Sequence, residues 1–170
     1  DLATLPAFPA EIRAPQGTIA GVSSFQVQIA DFDILTPGDN PDVLVAMNPA
    51  GLKVHLSELK EHGILIINTD NFTKKNLGLA KWEDNPLENR EMLDKYRSIQ
   101  IPMTDLVKTA LDDFELTPKE KARSTNMFAL GLLYWLYERD LETTIEFLDK
   151  KFAKKPIIAS ANIKALKTGY

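Results

Sequence analysis

The sequence predicts an α/β fold, and three observations carry that prediction. Two short apolar runs, Asp42–Met47 (apolar after its first residue) and Ile64–Ile67, read as strands covered on both faces. Between them Leu52, Leu56 and Leu59 recur at helical spacing, so the unit is strand, helix, strand, and such units join parallel strands. From Thr104 onward, helix-type patterns follow one another without a strand signal. Together they predict three layers, α/β/α, with a Rossmann-like, mostly parallel sheet and a helical C-terminal third. A chain of 170 residues has the length of a single domain with one continuous core.

The elements follow in order. Residues 1–17 hold Pro6, Pro9 and Pro15 and read as coil. Thr18–Ile29 is β-rich and ends in the alternation Phe25-Gln26-Val27-Gln28-Ile29, which places the apolar residues on a core and the glutamines toward water. Asp31–Asp33 can turn the chain, Ile34 and Leu35 return it, and Thr36–Pro41 is a loop. Asn48-Pro49 opens the first long helix, with proline tolerated in its first turn, and Gly63 stops it. The strand at 64–67 runs into the polar cluster Asn68-Thr69-Asp70-Asn71.

A short helix is expected over Thr73–Trp82, a charged surface stretch over Glu83–Lys95 and a third crossover strand over Ser98–Ile101. A helix follows over Thr104–Phe114. Thr117-Pro118-Lys119-Glu120 then has the form of a capping box: hydroxyl at the N-cap, proline next, glutamate at the third position. The helix it starts is expected to run to about Tyr137, with Met127–Tyr137 as its buried turns. Asp140 can cap a helix over Leu141–Lys154, and Pro156 can begin a last one ending near Gly169.

Composition excludes several classes of function. The net charge of −4 argues against a nucleic-acid partner. With no cysteine there is no disulfide, no thiolate nucleophile and no cluster ligand in this chain. No signal peptide opens the sequence, and the apolar run Met127–Tyr137 falls far short of the roughly 20 residues that cross a bilayer, so a cytoplasmic protein without membrane contact is expected. Lys150, Lys151, Lys154, Lys155, Lys164 and Lys167 cluster in the tail, as a solvated helical face or as a docking patch for an acidic neighbour or a phosphate-bearing ligand.

No G-x-G-x-x-G, P-loop or G-x-S-x-G string is present. His55 and His62 stand two helical turns apart, which favours surface histidines over a metal pair, although Glu58 and Glu61 lie nearby. Trp82, Tyr134, Trp135 and Tyr137 read as packing residues. No catalytic residue and no metal ligand is assigned.

One segment does not fit an amphipathic element: Phe8-Pro9-Ala10-Glu11-Ile12-Arg13-Ala14-Pro15-Gln16-Gly17-Thr18. Prolines on both sides stiffen it and fix the direction of the charged pair. Glu11 and Arg13 can pin a surface loop as a weak ion pair, or Arg13 can offer a forked donor to a phosphate or carboxylate. From the residues alone both readings stand. Gln16 and Thr18 can add neutral hydrogen bonds. Asn48, at the carboxyl end of a buried strand where α/β ligands gather, completes the candidate set.

The string F-P-A-E-I-R-A-P-Q-G-T-I-A-G-V-S-S-F-Q-V-Q-I, followed by P-G-D-N-P-D-V-L-V-A-M-N-P-A-G-L, resembles the gamma domain of 2-oxoacid:ferredoxin oxidoreductases. The resemblance continues through Ile64–Asp70, P-M-T at 102–104, R-S-T-N-M-F-A-L-G-L-L at 123–133 and A-N-I-K-A-L-K-T-G-Y at the end. It implies an enzyme that oxidatively decarboxylates a 2-oxoacid, 2-oxoglutarate in the nearest type, to an acyl-CoA with ferredoxin as acceptor.

The resemblance further implies partners: an alpha-type domain, in the same full-length chain for the fused type, and a beta subunit. Thiamine diphosphate, Mg²⁺ and iron–sulfur clusters belong to those parts, and this chain alone is expected to bind no cofactor and to be inactive. Coenzyme A access and assembly are the roles implied for the gamma domain, and Glu11, Arg13, Gln16, Thr18 and Asn48 the residues that would serve them. The form Glu11-Ile12-Arg13-Ala14-Pro15 departs from the P-E-x-R-G-G of freestanding gamma subunits and favours the fused type. Family members carry a strand and a glycine-rich turn ahead of the segment matching Phe8 onward, so residues 1–170 read as one domain lacking that start. The competing class is a freestanding nucleotide-binding or regulatory α/β protein, against which the missing phosphate loop counts.

Overall fold

The computed structural model describes residues 2–8, 14–35, 38 and 40–170. They fall into two compact units, Asp1–Ile101 and Pro102–Tyr170.

The first unit is built on a parallel sheet of β3 (Val43–Ala46), β4 (Ile64–Asn68) and β5 (Arg97–Ile101), in the order β3-β4-β5. Val43 pairs with Ile64, and Ile64 in turn with Arg97. Leu65, Ile66, Ile67 and Asn68 of β4 are buried, as its unbroken apolar run requires. The α/β class read from the sequence is the class observed.

Asn48 caps α1 (Pro49–His55), its Oδ1 accepting from the Gly51 amide at 2.8 Å. The helix expected to reach Gly63 ends at His55 and tightens into a 3₁₀ turn over Leu56–Glu58. The tightening delivers extended Leu59 into the core beside Ala46, Leu52, Leu65, Ile67, Phe72 and Leu93. The second crossover holds α2 (Lys74–Leu79), a 3₁₀ turn over Pro86–Glu88 and α3 (Arg90–Leu93). The stretch 83–95 is therefore not all surface. Pro86 and Leu93 are buried, and Leu87 and Met92 pack on the core. Trp82 is anchored by donating from Nε1 to the Pro49 carbonyl at 2.9 Å, with the Lys53 ammonium 4.9 Å from its ring centre.

The expected N-terminal coil contains a strand. β1 (Leu2–Ala7) pairs antiparallel with β2 (Ser24–Ile29), from Leu2 opposite Ile29 to Ala7 opposite Ser24. Pro6 does not prevent this, because both strands of a two-stranded ribbon are edges and a missing N–H can face outward. β2 is preceded by a 3₁₀ turn over Ile19–Gly21, and Ile34 and Leu35 form no strand. The polarity of β2 is opposite to the expectation. Phe25, Val27 and Ile29 are 62, 48 and 39% exposed, whereas Ser24, Gln26 and Gln28 are half-buried. Gln28 fixes that facing by accepting from the Gly38 amide at 2.9 Å.

The second unit is helical: α4 (Met103–Ala110), α5 (Pro118–Ala122), α6 (Thr125–Leu136), α7 (Glu142–Lys151) and α8 (Pro156–Gly169). The capping box forms: Thr117 Oγ1 accepts from the Glu120 amide, while the Thr117 hydroxyl and amide donate to the Glu120 carboxylate at 2.7 and 2.9 Å. The helix does not continue to Tyr137. It breaks at a turn over Arg123–Ser124, where the backbone stays in the right-handed helical region but ψ opens to 0° at Ser124, and Thr125 donates its hydroxyl to the Ala122 carbonyl. Phe128, Ala129 and Gly131 of α6 are buried, but Trp135 and Tyr137, expected as packing residues, are exposed. Left-handed Glu138 then ends the helix, with Arg139 N–H donating to the Tyr134 carbonyl. Asp140 does not cap α7, whose N-cap is Leu141.

α6 and α8 cross with their backbones almost touching. A Cβ on Gly131 would lie 2.0 Å from the Leu166 carbonyl oxygen, and one on Gly169 the same distance from that of Phe128. Gly78 of α2 has open space around it. In the full-length polypeptide, Gly131→Ala should lower the opening free energy of α6 and α8 by roughly 1–3 kcal/mol through overpacking. Gly78→Ala should raise that of α2 by roughly 0.5–1 kcal/mol. Peptide-resolved hydrogen exchange measures both, and the opposite signs are the check.

The donors from Thr117, its hydroxyl first and then its amide, hold the Glu120 pKa below the ordinary glutamate value. A lowered folded pKa supplies stability above the unfolded value and loses it as pH falls through the folded one. An NMR titration with carboxyl-labelled glutamate should place Glu120 below the other exposed glutamates, and Thr117→Val, which loses the hydroxyl but keeps the amide donor, should move it upward.

Candidate functional site: the carboxyl rim of the parallel sheet

β3 and β4 end side by side, and the chain turns sharply after each: Asn48 starts α1, and a 3₁₀ turn over Thr69–Asn71 follows β4. In open α/β sheets this end of the strands is where ligands bind. The rim is made of amides. Asn71 Nδ2 donates to the Met47 carbonyl at 2.9 Å, tying the end of β4 to the end of β3. Asn76 Nδ2 donates to the Asn71 carbonyl at 2.8 Å, and Thr73 caps α2. Asn68 is fully buried at the last position of β4.

The structure brings part of the proline-flanked segment to the same neighbourhood. Thr18 donates its hydroxyl to the Pro15 carbonyl at 2.7 Å, and the turn over Ile19–Gly21 that follows packs on α1. Gly17 has φ 88°, and a Cβ there would sit 3.5 Å from Leu79 of α2. A Cβ on Gly21 would meet the Pro15 carbonyl at 2.6 Å, so the coil closes on itself. Gln16 is exposed, and Thr18 and Asn48 are half-buried. Glu11 and Arg13 lie outside the described residues.

Two of the candidates hold structural posts as well. The Thr18 hydroxyl proton is committed to Pro15, and Asn48 Oδ1 to the α1 cap. Thr18 Oγ1 keeps its lone pairs, and Asn48 Nδ2 makes no hydrogen bond among the described residues. Asn71 and Asn76 were not singled out from the sequence. Their signal was there: asparagines gathered just after a buried strand.

This rim can hold and orient a polar molecule through neutral amide and hydroxyl groups, and it presents no nucleophile beside a base. His55 Nδ1 lies 2.9 Å from Glu58 Oε2, His62 is exposed, and among the described residues no group of three or more His, Asp or Glu is placed to hold a metal. The lysines of the tail are solvated. Lys150 lies 3.8 Å from Glu146, and Lys151 and Lys164 cover the rings of Phe147 and Phe114. Among the described residues no helix is long and apolar enough to cross a membrane.

A family model described as "Pyruvate ferredoxin/flavodoxin oxidoreductase" matches residues 1–170. Over 170 residues, the whole chain, the sequence is 54% identical to the 2-oxoglutarate oxidoreductase subunit KorA of Mycobacterium tuberculosis. The chain spans only 26% of that relative's length. Among solved structures, the 2-oxoglutarate:ferredoxin oxidoreductase from Magnetococcus marinus, with 2-oxoglutarate, coenzyme A and succinyl-CoA bound, matches with a TM-score of 0.68 at 23% identity, over 99% of this chain and 25% of that one. The gamma subunit of a keto/oxoacid ferredoxin oxidoreductase from Geobacter sulfurreducens matches with a TM-score of 0.53 at 17% identity, covering 99% of this chain and 79% of that one. The pyruvate oxidoreductase subunit PORC of Thermotoga maritima gives 0.51 at 20% identity, covering 100% and 78%. At these identities the structural matches report on fold.

Asn48 can be tested as the cap of α1. Asn48→Ala should cost about 0.5–2 kcal/mol of local stability. Asn48→Asp keeps the capping oxygen and should restore hydrogen-exchange protection of α1, whereas an Asn48 that does not cap would leave both variants alike.

Proposed function

We infer a function from one premise: the chain belongs to the pyruvate ferredoxin/flavodoxin oxidoreductase family. It serves as the gamma-type domain of an enzyme that oxidatively decarboxylates a 2-oxoacid. The carbon skeleton leaves as an acyl-CoA, the carboxylate as CO₂, and the two electrons pass to ferredoxin. The observation that carries this reading is the 54% identity to a 2-oxoglutarate oxidoreductase subunit along the whole chain. It also makes 2-oxoglutarate the first substrate to try.

The chain's own residues do not suit the redox groups of such an enzyme. The sequence has no cysteine for an iron–sulfur cluster, and the described residues offer no set of carboxylates or imidazoles for the Mg²⁺ that accompanies thiamine diphosphate. Those groups fall to an alpha-type domain of the full-length polypeptide and to a beta subunit. The site of action is the cytoplasm, where ferredoxin and coenzyme A are available.

What this domain contributes is assembly and access for coenzyme A. The segment Glu11–Thr18 and Asn48 are the residues proposed for it. Coenzyme A is an anion with phosphate groups, and Arg13 is the residue of the segment able to pair with one through two parallel N–H bonds. Gln16, exposed, and the lone pairs of Thr18 add neutral contacts beside it.

The test is an assay of the full-length polypeptide with its partner subunit for 2-oxoacid- and coenzyme A-dependent reduction of ferredoxin or a viologen dye, across a substrate panel. 2-Oxoglutarate should give the highest kcat/KM, and no 2-oxoacid-dependent reduction would end the reading. Arg13→Ala in the same complex should raise the coenzyme A KM about tenfold, the loss of one charge-assisted contact. An arginine that only pins a loop would leave KM and assembly unchanged.

A further inference from the structure

α8 opens against the ordinary rules of helix capping. Its N-cap is Lys155, which makes no side-chain cap bond, and Lys154 stands just before it. A hydroxyl or carboxylate is the favoured choice there, and cations meet the positive end of the helix dipole. Among the described residues neither lysine gains an ion pair in return. The charge continues along the helix. Ile157, Ser160, Lys164 and Lys167 are exposed and recur at i, i+3, i+7 and i+10, so they share the outward face of α8. Between Lys150 and Tyr170 there are six lysines and no acidic residue, in a chain of net charge −4. Lys150 is offset by Glu146, but Lys154, Lys155, Lys164 and Lys167 have no carboxylate partner among the described residues. Ile157, 40% exposed, lies on the same face, and Phe147, 56% exposed, lies under Lys151.

Lysine is depleted from the cores of permanent interfaces, whereas charges at the rim of a contact steer an oppositely charged partner into place. Solvated lysines around a small apolar centre therefore suit a brief, charge-guided visit from an acidic protein. A phosphate backbone is better met by the fork of arginine, and no arginine stands between Lys150 and Tyr170. The oxidoreductase reading above, on which this inference rests, brings one transient protein to the enzyme: the ferredoxin that carries the electrons away. We propose that the lysine face of α8, made by Lys154, Lys155, Lys164 and Lys167, attracts and orients that carrier through an acidic surface. The face acts on encounter only. The electrons leave from groups in the partner domains, because this sequence has no cysteine to hold a cluster.

The experiment compares two electron acceptors for the full-length polypeptide with its partner subunit. The cognate ferredoxin has to dock, whereas a viologen dye, a small dication, does not. Lys154→Glu, Lys155→Glu and Lys167→Glu are combined in one variant, and a second carries Arg at the same three positions. Glutamates at the start of α8 suit its dipole and should not weaken the helix. At an ionic strength of about 0.01 M, where charges act over about 30 Å, the glutamate variant should raise the ferredoxin KM about tenfold, and the difference should fade by about 0.5 M. The arginine variant should match the parent, and dye reduction should be the same in all three. An unchanged ferredoxin KM overturns the proposal and leaves the lysines to solvent or to a nucleic acid. So does an equal loss with both acceptors, which means that fold or assembly is disturbed, and so does a change in KM that ignores salt. If the parent complex reduces neither acceptor, the functional reading fails by itself, and binding of ferredoxin to the immobilised complex decides this inference. Binding that the glutamate variant loses supports it, and binding that is absent or undiminished overturns it.

Discussion

The burial of β4 from Leu65 to Asn68 is the constraint on which the first unit depends. A strand with neighbours on both edges has all its backbone groups in the ladder, and one covered on both faces must be apolar along its length. Leu65, Ile66 and Ile67 meet both demands. Because its partners are parallel, each connection has to leave the carboxyl end of one strand and return to the amino end of the next. The carboxyl rim is thus the forced departure point of the chain, and its polar groups sit where strands stop and helices begin. Asn48, Asn71 and Asn76 first satisfy those departures and only then have anything left for a ligand.

That ordering explains which parts were legible in the sequence. β3, β4 and the capping box of Thr117 and Glu120 were read with their bounds nearly right, since each depends on a local pattern and the tertiary structure agrees with it. The breaks were not legible. α1 stops at His55 and the chain then carries Leu59 into the core, and the α5–α6 break falls at Arg123–Ser124 beside the bond from the Thr125 hydroxyl to the Ala122 carbonyl. Neither fact is visible in a list of apolar spacings. The strand β1 escaped notice because proline was read as a breaker, a rule that fails on an edge. Of the candidate site, Asn48 was legible as the start of a helix, but the turn bond of Thr18 to Pro15 and the approach of its segment to α1 were not, because they depend on the fold of their neighbours.

The division of labour that follows is chemical. A surface of amides and hydroxyls can recognise a polar molecule without reacting with it, and the sequence has no cysteine to supply a thiolate. Such a domain is judged by where it holds things. Its rim is fixed by hydrogen bonds of 2.8–2.9 Å between Gly51 and Asn48, Asn71 and Met47, and Asn76 and Asn71, which together fasten the turns at the strand ends. Groups so held give up little further entropy when a ligand arrives, which is the physical content of preorganisation.

The helical unit reaches rigidity by a different route. Gly131 and Gly169 let α6 and α8 approach until each backbone lies against the other's carbonyls, and Ala161 and Ala165 keep α8 thin along its buried side. At that distance the contact is made by backbone atoms, with Cα–H groups facing carbonyl oxygens, and few side-chain rotamers are left to fluctuate. Trp135 near the end of α6 and Tyr137 just beyond it stand exposed, a turn or more from the glycine of the crossing, whereas Phe128 is buried where the α8 terminus passes over its carbonyl. A helix that is apolar on nearly every side thereby buries one face deeply and leaves another uncovered. Periodicity alone could not assign those faces, since no polar stripe marks which side turns outward.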